Sequence, residues 1–221
     1  MAPGQRVSQV SRRGGQNPMV TWYVNTRQRA VALTFDDGPN PLITPEILAL
    51  LKKYHDRATF FVLGQKALKY PRLLKTEVQD GMEVGNHTFG HINLTQYSTA
   101  VDYGDLMRTR QIIWRIVHTT PLVMRPPYGA YSPGVLQAAA QAGERVVLWS
   151  SAENSPDHTN SSVSAMVFRI IHNLRPGDIV LFHDGNGGGR WETVAALAII
   201  LKDLKSLGYQ CVTVSELLKM Q

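Results

Sequence analysis

The chain has 221 residues, enough for one good-sized domain or two small ones, and its 43% hydrophobic and 18% charged residues exclude a disordered or fibrous chain. The formal net charge is +6, from 23 Lys+Arg against 17 Asp+Glu, which invites a polyanionic partner. The longest aliphatic run, Val194 to Leu201, is eight residues, far short of the ~20 that a membrane-spanning helix takes.

Residues 1–17 are rich in Gly, Ser, Gln and Arg without apolar periodicity. They are expected to form a flexible basic tail ahead of one ordered domain over 18–221. The tail lacks the ~7–15-residue apolar core of a secretory signal, so an exported protein would be present here in mature or trimmed form. Apolar and β-branched runs then predict strands at Val31 to Phe35, Ala58 to Leu63, Met82 to Val84, Leu122 to Met124, Arg145 to Trp149, Ile179 to Phe182 and Gln210 to Val214. Between them lie helix patterns. In the first, Thr44 is placed to cap, Pro45 suits the first helical position, and Ile47, Leu48, Leu50, Leu51 and Tyr54 form one apolar stripe. The others run over Pro71 to Asp80, Thr99 to Val117, Pro133 to Ala142, Ser161 to Leu174 and Trp191 to Leu207. Gly81, Gly143 and Gly208 stand where helix C-termini favour a left-handed residue. Seven strands alternating with six helices predict one α/β domain with a parallel sheet; periodicity alone does not say whether it closes into a barrel. Cys211, the single cysteine, lies in an apolar stretch and is expected to be a core residue, with no intrachain disulfide.

Polar residues cluster directly after strands: Asp36 and Asp37, His87 and His91, Arg125, and His183 with Asp184. In parallel α/β folds the carboxyl ends of strands converge on one rim, where sites are built. Adjacent carboxylates leaving a strand point in different directions, so one of the two Asp could bind a metal while the other stands beside it as a base. An Asp-Asp-Gly-Pro turn accounts for the same four residues. His87 and His91 are four apart, a spacing that on a helical turn puts both on one face as in His-x3-His metal sites, though such a pair also occurs incidentally. With one carboxylate they make a two-histidine, one-carboxylate set that leaves coordination positions open. That set also serves non-haem iron oxygenases. A hydrolase differs in needing a base and an acid nearby, which the second Asp and His183 would supply.

Thr34-Phe35-Asp36-Asp37-Gly38-Pro39, His87-Thr88-x-x-His91, Arg125-x-Pro127-Tyr128 and Leu181-x-His183-Asp184 resemble, in order and spacing, the signature motifs of the polysaccharide deacetylases, carbohydrate esterase family 4 or the NodB-homology domain. The resemblance spans residues 29 to 218. It implies a distorted, incomplete (β/α) barrel of about seven parallel strands that removes acetyl groups, most often N-acetyl from N-acetylglucosamine polymers such as peptidoglycan or chitin-like oligomers, sometimes O-acetyl from xylan. It implies Asp36 as general base, Asp37, His87 and His91 as metal ligands, His183 as general acid, Arg125 as partner of the base, and the Tyr128 backbone N–H as an oxyanion donor. The cofactor it implies is a divalent ion, Zn²⁺ expected, with Co²⁺ or Ni²⁺ as alternatives. The family's Asp-x-x-Asp-Trp stretch is altered after Trp149: Asp157 is the candidate for the carboxylate that tunes the acid histidine, with Glu153 second, and His158 stands where the Trp would be. A glycan-binding domain with impaired turnover is therefore a second expectation.

The glycine-rich run 184–190 lacks the Gly-Lys-Ser/Thr ending of a phosphate loop and is expected to be a mobile rim loop. Trp191 and Tyr131 could stack on sugar or pack on the barrel; His55, His118 and His172 receive no function. The lead-in Trp22 to Thr26 is similar to lead-ins of deacetylases from Gram-positive bacteria, which favours peptidoglycan and a secreted or cell-wall-associated, extracytoplasmic enzyme. A monomer with an acetylated glycan as partner and no nucleic acid is expected. Residues 1–29 hold five arginines and no acid, leaving 18 basic against 17 acidic residues in the rest, so the positive surplus belongs to the leader.

Overall fold

The computed structural model describes residues 19–150, 162–185 and 191–221. Among them are eight strands: β1 (Val20–Thr21), β2 (Ala30–Gly38), β3 (Ala58–Val62), β4 (Glu83–Asn86), β5 (Val123–Met124), β6 (Arg145–Val147), β7 (Ile179–His183) and β8 (Gln210–Cys211). The helices are α1 (Thr44–Tyr54), α2 (Gly64–Lys69), α3 (Pro71–Gln79), α4 (Thr99–Val117), α5 (Pro133–Gln141), α6 (Val163–Asn173), α7 (Trp191–Ser206) and α8 (Val214–Leu218). Every strand pairing is parallel, in the order β1-β6-β5-β4-β3-β2-β7, with β8 on the start of β2. The two ends of this order do not join as a ladder. Among the described residues the gap is crossed by the antiparallel bridge Tyr23–Asp178, the backbone bonds Val24 N–H to Gly177 C=O (2.8 Å) and Ser150 N–H to Ile179 C=O (2.9 Å), and the bond from Ile179 N–H to Ser150 Oγ (3.1 Å). The barrel is incomplete, as the motifs imply.

The nine residues of β2 are all buried, as expected of a strand covered on both sides. Val31, Leu33 and Phe35 face the helices, where Phe35 stacks between Phe60 and Phe182 at 5.0 and 5.5 Å. Ala30 and Ala32 face inward with Phe61, Val123, Val147 and Ile179. Period-2 alternation thus carries Thr34 and Asp36 into the barrel.

The predicted helices are present, and Gly81, Gly143 and Gly208 have φ of 82°, 73° and 75°, the left-handed conformation their places require. His55 and His118 play the same terminal part at the ends of α1 and α4, each with φ of 57°. Thr44 does not cap α1. The cap position is Ile43, and the Thr44 hydroxyl accepts from Asn40 N–H (2.8 Å) and donates to Asp184 Oδ2. The predicted last strand is shorter than its apolar run, because Thr213 accepts from Glu216 N–H while Glu216 accepts from Thr213 N–H, a capping box that starts α8. β1 and α2 carry too few residues for periodicity to reveal. Cys211 is a buried free thiol whose pKa burial pushes upward.

Candidate active site

Four strands deliver the rim residues. Asp36 and Asp37 end β2, His183 ends β7 in register with Asp36, His87 follows β4, and Arg125 follows β5. The neighbouring carboxylates were expected to diverge, but the register between β2 and β3 shifts between Asp36 and Gly38. Asp37 is the extra residue of a β-bulge, with φ of 71°, and bulges re-aim side chains. Both carboxylates consequently reach one histidine: His87 Nε2 lies 3.4 Å from Asp37 Oδ1 and 3.8 Å from Asp36 Oδ2.

His87 and His91 do meet, but not on a helical turn. The segment between them is irregular, with Thr88 at φ 69° and His91 at φ 62°. Thr88 Oγ1 accepts from His91 N–H (3.0 Å), Thr88 N–H donates to Asn86 Oδ1 (3.0 Å), and Phe89 N–H donates to Asp105 Oδ1 on α4 (2.8 Å). These bonds fold the segment so that the rings stand 5.2 Å apart.

His87 Nδ1 is 2.7 Å from the Arg125 carbonyl. A carbonyl only accepts, so Nδ1 donates to it, which fixes the ring and leaves Nε2 as the ligand atom facing the two carboxylates, the support usual for a metal-binding imidazole. His91 Nε2 lies 3.2 Å from the same Asp37 Oδ1. That oxygen is buried and has no hydrogen-bond partner among the described residues. One ligand atom from each of Asp37, His87 and His91 lies within 4.8 Å of the others. Acceptors gathered this closely fit a cation, and the nitrogen and oxygen donors suit Zn²⁺ and its neighbours in the series. Burial raises the Asp37 carboxyl, but the imidazoles around it, His87 above all and then His91 and His183, favour its ionised form more strongly and hold it below the usual carboxylate range. Burial pulls the His91 pKa down against the field of Asp37. Both shifts favour the forms that bind a metal, a carboxylate and a neutral imidazole.

Arg125 is fully buried and spends its guanidinium on four acceptors: Asp36 Oδ1 (2.8 Å), Thr34 Oγ1 (2.8 Å), Val147 C=O (3.2 Å) and Leu148 C=O (2.9 Å). Its plane lies over Phe61 at 4.2 Å. Asp36 Oδ1 is thereby engaged, and Oδ2 is the oxygen toward His87. Tyr128 is 68% exposed with φ of 63°, its ring edge-on to His91 at 4.7 Å. The cleft over these groups has a volume of about 410 Å³ and is walled by Tyr128, Gly129, Trp149, Leu181 and His183, within the range of small-molecule sites.

Of the sequence candidates, Asp36, Asp37, His87, His91, Arg125, Tyr128 and His183 converge. Asp157, Glu153 and His158 lie outside the described residues, as do the tail and most of the glycine-rich run. Tyr131 and Trp191 are partly exposed, so neither is a core residue. Sequence reasoning missed Thr34, Lys66 and Trp149. Lys66 Nζ donates to the Asp37 carbonyl at 2.7 Å, a contact with no local signal, whereas Thr34 could have been found from the alternation that places it beside Asp36.

The polysaccharide deacetylase family profile matches residues 23–147. A peptidoglycan-N-acetylglucosamine deacetylase of Bacillus cereus is 42% identical over 200 residues, which cover 90% of this chain and 93% of that protein. Among solved structures, another peptidoglycan N-acetylglucosamine deacetylase is 31% identical with a TM-score of 0.87 over 92% of this chain and 94% of its own. A family pseudoenzyme from Bacillus anthracis is 26% identical with a TM-score of 0.84, covering 92% of this chain and 70% of that one. With its four motifs on one rim and these relatives along most of its length, the chain belongs to the polysaccharide deacetylase family.

Proposed function

We propose that the protein is a metal-dependent hydrolase that removes N-acetyl groups from N-acetylglucosamine-containing glycan, with peptidoglycan the substrate its B. cereus relative favours. The observation that carries this is the meeting of a ready metal-binding triad, Asp37, His87 and His91, with a guanidinium-held carboxylate, Asp36, and a histidine, His183, in one cleft. Asp37, His87 and His91 would hold a divalent ion, which would supply Lewis acidity toward the acetyl carbonyl and water. Asp36, oriented by Arg125, takes the proton of the attacking water through Oδ2. The Tyr128 backbone N–H donates to the oxygen on which charge develops. His183, in register with Asp36, gives a proton to the departing nitrogen, without which an amine is a poor leaving group. Tyr128 and Trp149 form walls against which a sugar ring can lie. Zn²⁺ is the ion we assign, the chain acts as a monomer outside the cytoplasm, and residues 18–221 constitute the catalytic domain.

The test is mass spectrometry of acetylated oligosaccharides after incubation with metal-loaded protein. Loss of one acetyl mass from N-acetylglucosamine oligomers or peptidoglycan fragments, abolished by a chelator and restored by Zn²⁺, is expected. Loss only from O-acetylated xylan would move the activity to ester hydrolysis, and no loss from any acetylated glycan sinks the enzyme reading. A non-catalytic glycan binder is the second reading, favoured by the pseudoenzyme among the structural relatives. Saturable binding of a chitin oligomer without acetate release is its signature.

A further inference from the structure

Asp37 is held in a conformation that non-glycine residues adopt uncommonly, and such a conformation persists only where its surroundings over-determine it. Lys66 Nζ from α2 holds the Asp37 carbonyl, and the rest of the surroundings come from the segment after β7. Asp184 N–H and Gly185 N–H both donate to the Asp36 carbonyl, at 3.1 and 3.3 Å. The carboxylate of Asp184 is completely buried and lies flat against Gly38, where a Cβ would overlap both of its oxygens and its Cγ. A Cβ on Gly185 would likewise overlap Asp37. Glycine at 38 and 185 therefore lets two segments close on each other around the bulge. The Asp184 carboxylate is anchored in turn by Thr44, whose hydroxyl donates to Oδ2, while Asn40 Nδ2 donates to the Gly185 carbonyl at 3.1 Å. Asp184 belongs to the sequence motif that contains His183, yet it is fully buried, is not among the residues that wall the cleft, and none of the proposed chemical steps uses it.

The geometry points to Asp184 as a positioning residue that, braced by Thr44 and seated against Gly38, fixes the Asp37 bulge and so sets the affinity of the site for its metal ion. The inference rests on the metal reading of the triad. A carboxylate that fills the space behind Gly38 blocks the bulge from relaxing into regular strand, in which Asp37 would turn toward the helices beside Phe35 and leave His87 and His91 without their oxygen ligand. Asp184 also joins β2, which carries Asp36 and Asp37, to the end of β7, which carries His183, so one brace holds groups on both strands in register.

Zn²⁺ affinity of the purified full chain, measured by competition with a chromogenic chelator at fixed pH, tests this independently of turnover. Asp184→Ala and Thr44→Val are expected to weaken Zn²⁺ binding by about tenfold or more, the usual scale for groups that orient metal ligands. Asp184→Asn and Thr44→Ser are expected to stay within about threefold of the parent, because an amide oxygen still accepts and a serine hydroxyl still donates. Thr44→Val also removes the acceptor of Asn40 N–H, so Asp184→Ala isolates the carboxylate; should that variant fail to fold, Thr44→Val against Thr44→Ser carries the comparison. Melting of the metal-free proteins is followed in parallel. Variants that melt lower yet bind Zn²⁺ as the parent does would reduce Asp184 to a packing role and overturn the proposal. A parent chain that binds no Zn²⁺ would instead overturn the metal reading beneath it.

Discussion

Asp36 and Asp37 are neighbours of one chemical type whose surroundings differ by one residue's rotation. Asp36 stays on the inward face of β2, where Arg125 engages its Oδ1; Asp37, turned by the bulge, places its buried Oδ1 between two imidazole nitrogens at 3.4 and 3.2 Å. Asp36→Asn keeps an oxygen for Arg125 but loses the proton acceptor, so acetate release is expected to fall about 10²–10⁴-fold, the usual worth of a general base, while Zn²⁺ remains bound. Asp37→Asn is expected to lose Zn²⁺ itself, because a neutral amide is a poorer ligand for a divalent ion than a carboxylate. Acetate assays beside metal content after gel filtration separate the two, and the reverse pattern would exchange their roles. The Tyr128 side chain belongs to this scale as well. Its edge contact with His91 places an exposed aromatic ring at the mouth of the cleft, where a sugar needs an apolar face to lie on.

At the scale of the element, the loops after β4 and β5 shape the cleft through residues with left-handed backbone. Gly129 has φ of 64°, and a Cβ there would lie 2.8 Å from the Trp149 ring. Gly129→Ala therefore incurs both a left-handed penalty of about 1–2 kcal/mol and displacement of a cleft wall. It is expected to lower kcat/KM for acetylated oligomers several-fold with Zn²⁺ affinity intact, since none of the proposed ligands sits on that loop; an unchanged kcat/KM would separate the Trp149 position from substrate binding. The same loops show what the sequence could tell. Strand-end clustering exposed the rim residues because parallel strands send their carboxyl ends to one side whatever the details. The helical interpretation of His87 and His91 failed because their spacing suits a helix, whereas the Asn86, Thr88 and Asp105 hydrogen bonds determine an irregular turn. Thr44 looked like a cap because its partner, Asp184, is 140 positions away. The bulge at Asp37 was invisible for the same reason: its determinants lie on β3, α2 and the end of β7, and no local pattern announces them.

For the whole molecule, charge and burial give separate predictions. The arginines of residues 1–29 leave the remaining chain close to neutral, so removing residues 1–17 is expected to leave acetate release from short neutral oligomers unchanged while weakening retention on anionic cell-wall material at low salt. A matching loss on short oligomers would make the leader part of the site. Stability draws on a different charge. Glu144, just before β6, is buried and accepts from Asn86 Nδ2 at 3.1 and 3.0 Å, and Asn86 also donates to the Leu106 carbonyl of α4 at 3.0 Å. The cluster ties β4, α4 and the start of β6 together one residue from His87 of the candidate metal triad. Burial pushes the Glu144 carboxyl up to about 8, against the lowering effects of Asn86 and of Arg110, whose Nη1 is 3.6 Å away. A folded-state pKa above the unfolded one means that the folded protein binds the extra proton, so this contribution is fully present below the ordinary glutamate range near 4.5 and is lost as pH rises toward 8. Glu144→Gln keeps an acceptor for Asn86 and cannot ionise. Its metal-free stability relative to the parent is therefore expected to improve between pH 5 and about pH 8 and to level off above that, by an amount on the order of a few kcal/mol, read from urea unfolding at each pH. A difference between the two proteins that does not vary with pH would mean that Glu144 is ionised throughout, paired closely with Arg110 rather than held neutral by its burial.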